Sequence, residues 1–135
     1  AELRLESTEQ GAAFASVTAA AWPSPAAKLL ESLATDELTY PVAVGVTARA
    51  HGIDKEATLT ACAHAFASNQ VSAAVRLVPL GQTAGQRMTA ALSETCTGAT
   101  KRALDSNYDE VATATIMVDI ASMNHETQYT RLFRS

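Results

Sequence analysis

The sequence predicts an all-α fold, a compact helical bundle of five to six helices with short connections. Three observations carry that expectation. Alanine makes up about a fifth of the 135 residues, while the chain has 6 glycines, 4 prolines and 5% aromatics. Apolar residues recur at three-and-four spacing along its longer segments, the period of a helix with one covered face. Nowhere do apolar and polar residues alternate as they would in a half-buried strand. Alanine has the lowest helix cost, and its small side chain lets helix backbones approach closely. A chain of this length is expected to form one domain. It contains no internal repeat, charge block or low-complexity linker.

The first helix is expected from Glu2 to Ala21, with Leu3, Leu5, Phe14 and Val17 as its apolar positions. Trp22-Pro-Ser-Pro25 breaks it, because each proline lacks an N–H and its ring clashes with a preceding turn. Ser24 is placed to cap a short helix with Pro25 in its first turn, ending near Leu33. Pro41 suits the first turn of the next helix, Pro41 to Ala50, with Thr39 as cap and Gly52 as the terminating glycine. Asp54 then caps a long helix from Lys55 to Leu77, whose stripe is Leu59, Cys62, Ala63, Phe66, Ala67 and Ala74. The turn Val78-Pro-Leu-Gly81 stops it. A further helix opens at Gln82 or Thr83 and runs to about Leu104, with Met88, Ala91, Leu92, Thr95 and Ala99 on one face. The last helix is expected from Asn107, where Glu110 completes a capping box. Val111, Ala114, Val118 and Ala121 form one edge of that helix, with Ile116, Ile120 and Met123 beside them.

Composition excludes several function classes. The net charge is −4 and no Lys/Arg stripe could neutralise phosphates, so nucleic acid is not an expected partner. No apolar run is long enough for a membrane span, and none at the start reads as a signal peptide. Two cysteines, Cys62 and Cys96, sit in apolar helical patterns and read as free thiols of a reducing, cytoplasmic setting. His125-Glu126 begins like a zinc-protease helix, but position 129 is tyrosine where the second histidine belongs. Cys62 and His64 point about 200° apart on a helix and cannot share an ion. Gly81-Gln-Thr-Ala-Gly-Gln-Arg87 lacks the Gly-Lys-Ser/Thr ending of a phosphate loop and follows no strand. No catalytic residue, metal ligand set or cofactor site is therefore expected.

Two polar strings remain that folding alone does not require. Arg76-Leu-Val-Pro-Leu-Gly-Gln82 leads into Gln86, and His125-Glu-Thr-Gln-Tyr-Thr-Arg-Leu-Phe-Arg-Ser135 closes the chain. The second mixes Tyr129, Leu132 and Phe133 with Arg131 and Arg134, the aromatic-plus-arginine composition of interface hot spots. The stretch from Asn69 through Gln86 and that from Asp119 through Ser135 closely resemble the urease accessory protein UreF family. The likeness extends back through Tyr40-Pro-Val-Ala-Val-Gly45 to Glu2-Leu-Arg4. A further N-terminal helical segment of the family, with its Leu-Pro-Xaa-Gly-Gly or Gly-Phe type motif, finds no counterpart. The chain thus resembles the C-terminal half to two-thirds of such a protein.

That resemblance implies an all-α, non-catalytic chaperone or scaffold for urease maturation. Its implied partners are a UreD/UreH-type accessory protein, a UreG-type GTPase, apo-urease and a second copy of itself as a homodimer. Nickel and nucleotide would belong to the partners. The family tail is implied to order against UreD/UreH, so residues 125–135 are expected to form a partner-binding tail. The partner-binding residues expected are Arg76, Gln82, Gln86, His125, Glu126, Tyr129, Arg131, Leu132, Phe133 and Arg134. Each has a plainer alternative. Arg76 can cover the last carbonyls of its helix, Gln82 and Gln86 can satisfy turn backbone, and the tail's apolar residues can dock on the bundle itself. A second functional reading keeps an arginine of this set as a GTPase-activating finger.

Overall fold

The computed structural model describes residues 2–24, 29, 32 and 37–129. Among these residues it contains helices α1 (Glu2–Ala21), α2 (Tyr40–Ala50), α3 (Lys55–Leu77), α4 (Gln82–Asp105) and α5 (Ile116–Glu126), with a 3-10 turn at Tyr108–Glu110 and no strand. The all-α expectation holds. The contacts divide the chain into two units, one of Ala1–Ile53 with Ala112–Ser135 and one of Asp54–Val111. The short helix expected from Ser24 to Leu33 falls almost wholly outside the described residues.

In the first unit α1 packs against α2 and also touches α5. The buried residues of α1 are Thr8, Gly11, Ala15 and Thr18, spaced three and four apart and all small. Leu3, Leu5 and Val17, expected to pack, are exposed instead. The reason is steric. A Cβ at Gly11 would overlap the Leu38 carbonyl oxygen, lie 2.7 Å from the Thr39 carbonyl carbon and 2.8 Å from the Tyr40 nitrogen. Only a small-residue face admits backbone so close. Around that crossing Ala15, Leu38 and Ala43 form the core, with Phe14 and Val46 against it. The Phe14 and Tyr40 rings meet edge to face, centroids 5.5 Å apart.

Pro41 stands in the first turn of α2, and Thr39 occupies the cap position without a side-chain bond. Gly52, at φ +69, ends the helix. Its N–H bonds the Arg49 carbonyl at 3.2 Å, and that of Ile53 bonds the Ala48 carbonyl at 2.9 Å. These two bonds make the glycine-closed Schellman termination.

The second unit is the α3–α4 hairpin. Asp54 caps α3 as expected, its Oδ2 accepting from the backbone of Glu56 at 2.9 Å and of Ala57 at 3.3 Å. Close approach again falls at a glycine: a Cβ at Gly85 would sit 2.8 Å from Val75 Cγ2. The residues actually buried are Val71 on α3 and Gly85, Cys96 and Thr100 on α4. The stripe expected on α3 is not a covered core, since Phe66 is 68% exposed. It lines an open groove instead.

The last helix departs most from expectation. The capping box at Asn107 and Glu110 is present, but it opens only the 3-10 turn. Residues 111–115 have no regular structure and α5 begins at Ile116, so Val111 and Ala114 are not part of a helical edge. Thr113 and Thr115 hydroxyls lie 2.8 Å apart, and Thr113 Oγ1 accepts the Thr115 N–H at 3.4 Å. Such local bonds compete with helical ones, and β-branched residues add a rotamer cost.

Two predictions follow from the packing. Gly11→Ala should lower stability by about 2 kcal/mol, the scale of an overpacked core position. Gly45→Ala, where an added Cβ meets nothing within 4 Å, should gain up to ~1 kcal/mol of helix propensity. Denaturant melts of both variants check the opposite signs. The buried hydroxyls of Thr47 and Thr100 have no hydrogen-bond partner, so Thr47→Val and Thr100→Val should each raise stability by about 1 kcal/mol, read in the same melts.

Candidate functional site

The candidate residues from the sequence fall in both units. In the α3–α4 unit, Arg76 stands exposed in the last turn of α3. Its Nε donates to the Ser72 carbonyl and its Nη2 to the Ser72 hydroxyl, each at 3.2 Å. The guanidinium is thus folded back along its own helix, and the favourable end of the helix dipole is where it sits. Gln82 and Gln86 are exposed in the first two turns of α4, just after the Pro79–Gly81 connection. Gly81 provides the cap position of α4 through its backbone, its carbonyl accepting from Ala84 at 3.0 Å and Gly85 at 3.2 Å.

In the other unit, His125 and Glu126 form the last turn of α5, and Thr127 is its C-terminal cap. Tyr129 is fully exposed. Arg131, Leu132, Phe133 and Arg134 lie outside the described residues. His125 is engaged within the unit: its Nδ1 is 3.0 Å from both carboxylate oxygens of Glu2. Nothing local in the sequence signals this pair, which joins residues 123 apart. Arg4 and Glu37 form an exposed ion pair at 3.5 Å, a type that contributes little to stability.

The sequence also gave no warning of an open groove between α3 and α4, with a volume of about 620 Å³. Its walls include Leu59, Cys62, Phe66, Leu92, Cys96 and Ala99. The groove is lined almost wholly by apolar side chains and carries no convergent set of polar groups that could perform chemistry. Cys96 Sγ lies 3.6 Å from the Ala63 carbonyl. Burial pushes the Cys62 thiol above its ordinary range, which keeps it protonated and weakens it as nucleophile and metal ligand. Among the described residues no three His, Cys, Asp or Glu side chains group as a metal site would need. None of their helices is long and apolar enough to cross a membrane. What the arrangement offers is surface: an apolar groove in one unit and an outward-facing apolar helix leading to the tail in the other.

Comparison with known proteins places the chain in a family. The family model for UreF matches residues 1–93. Over its whole length the chain is 48% identical to the urease accessory protein UreF of Rhodopseudomonas palustris strain BisB5, covering 56% of that protein. It is 48% identical to the UreF of Bradyrhizobium sp. strain BTAi1, with 99% of this chain and 55% of that protein aligned. The UreF of Methylobacterium sp. strain 4-46 is 45% identical, again over 99% of the chain and 54% of the relative. The chain belongs to the UreF family, and it spans about 56% of the length of the first of these relatives.

The shielded thiol gives a direct test of the groove. A raised pKa lowers the thiolate fraction at neutral pH, so Cys62 should alkylate with iodoacetamide several-fold more slowly than free cysteine at pH 7.5. The gap should close as pH rises through the range where free thiols have already ionised. Peptide mass spectrometry of timed samples reads both rates.

Proposed function

We propose that this UreF-family chain is a non-catalytic adaptor in the cytoplasmic maturation of urease. In this reading it binds a UreD/UreH-type accessory protein, pairs with a second copy of itself, and brings a UreG-type GTPase to apo-urease for nickel insertion. The observation that carries the reading is the 48% identity that persists over all 135 residues to proteins named as urease accessory proteins. The apolar character of the surface agrees with an adaptor, since large contiguous exposed apolar faces serve recognition rather than solubility. Nickel and nucleotide are then handled by the partners, and this chain contributes binding and orientation alone.

Within this reading the tail is the principal contact. Tyr129, Leu132 and Phe133 supply apolar anchors, while Arg131 and Arg134 supply charge-assisted bonds to carboxylates on the partner. Glu126 lies at the start of that tail. Arg76, Gln82 and Gln86 form a second, polar patch around the α3–α4 turn. The local bonds of Arg76 to Ser72 favour a helix-end role for this residue over that of an arginine finger; the GTPase-activating reading then rests on Arg131 and Arg134, outside the described residues.

Deleting Tyr129–Ser135 should abolish capture of the cognate UreD/UreH-type protein while shifting the melting temperature by less than about 2 °C. Ordering these residues costs roughly 1–2 kcal/mol each in backbone entropy, which a complementary partner surface can offset and the free chain has little means to. A pull-down run beside a thermal melt reads both quantities. Retained capture would remove the tail from the interface, and a large fall in melting temperature would make it part of the core.

A further inference from the structure

Helix α5 is mounted with its apolar side outward. Its partly buried residues are Asp119, Ser122 and His125, three apart and therefore on one stripe. Ile116, Met117, Val118 and Met123 are between 55% and 75% exposed. The hydrophobic effect alone would orient such a helix the other way. Something polar must hold it.

The contact between α1 and α5 supplies it. Nδ1 of His125 is 3.0 Å from each oxygen of the Glu2 carboxylate. The Glu2 side chain is only 11% exposed and that of His125 34%. An ionised carboxylate can only accept, so the imidazole donates. A carboxylate shielded to this extent is costly unless a donor compensates it, which makes the pair a strong local determinant of where α5 lies.

We propose that Glu2 and His125 form a latch that fixes α5 on α1 through its polar stripe and thereby keeps Ile116, Met117, Val118 and Met123 turned to the outside. The latch gives His125 a role inside the chain: it is a positioning residue for α5 and for the residues that follow it. This inference concerns the isolated chain and does not depend on which partner the tail meets.

The test is hydrogen exchange of the full chain, read by mass spectrometry on peptides spanning 116–126, for Glu2→Ala, His125→Ala and the double variant. Each single change should accelerate exchange of the α5 amides by about tenfold, the scale of losing a hydrogen bond to a charged group. Amides of α2, α3 and α4 should keep their wild-type rates, which shows that the rest of the chain remains folded. The double variant should exchange no faster than the faster single, because both changes remove the same bond. Wild-type α5 exchange in both single variants would overturn the latch. So would a double variant whose acceleration is the product of the two single ones, since that result assigns each residue an independent effect on its own helix.

Discussion

The backbone of residues 38–40 occupies the space where a side chain at position 11 would stand, and much of the first unit depends on that single exclusion. It fixes which face of α1 turns inward, because only the line Thr8, Gly11, Ala15, Thr18 is small enough. It sets the approach that lets Ala15 and Ala43 reach one another beside Leu38. It also brings Tyr40 within edge-to-face reach of Phe14. The α3–α4 hairpin repeats the device in its own unit, where Gly85 admits the Val75 and Val71 methyl groups. An alanine-rich chain thus gains cohesion from close dispersion contact between backbones more than from the area of large side chains removed from water.

That choice has a consequence for the surface. When small residues take the interior, leucine, valine, phenylalanine and methionine are displaced outward, as Leu5, Val17, Phe66 and Met117 are. Buried threonines are part of the same pattern. Thr47 and Thr100 have nearly the volume of valine and fit narrow interfaces, yet each leaves a hydroxyl without a partner. The interior is therefore tight but modest in hydrophobic yield, and the exterior retains apolar area on preformed helices.

Much of this fold could be read from local chemistry, and what could not involves distance or coverage. Asp54, Gly52 and the Pro79–Gly81 turn act within a few residues of themselves, so the limits of α2 and α3 and the start of α4 were legible. The capping box at Asn107 was legible too, but the threonine hydroxyls downstream redirected the backbone after one turn. Periodicity located the stripe from Leu59 to Ala74 and could not say what covers it, because spacing records a face and not its neighbour. The inward face of α1 was missed for the opposite reason: Gly11 and Ala15 carry no hydrophobic signal, and their importance lies in the backbone that crosses them. The contact of Glu2 with His125 has no local signature at all. Of the tail, Tyr129 is fully exposed, and Arg131 to Arg134 lie outside the described residues.

In the proposed adaptor reading, entropy sets how helix and tail would share the work of binding. A ten-residue segment that orders on binding gives up on the order of 10–20 kcal/mol of backbone freedom, while Leu132, Phe133 and Tyr129 return roughly 1.5–3 kcal/mol each when buried. Helical side chains such as Met117 and Val118 already stand on ordered backbone, so their burial incurs only side-chain ordering. For the proposed adaptor, preformed helix faces would add affinity at a lower ordering cost per residue than the tail, which remains its principal contact. In the proposed reading the tail would add discrimination to anchoring, because arginines such as Arg131 and Arg134 gain bonds only where carboxylates stand at the right places. Holding α5 in a fixed position shortens the stretch that must still become ordered, since the tail then departs from a defined helix end. If the chain is the adaptor proposed above, the orientation of α5 matters to recognition as much as the identity of the residues beyond it.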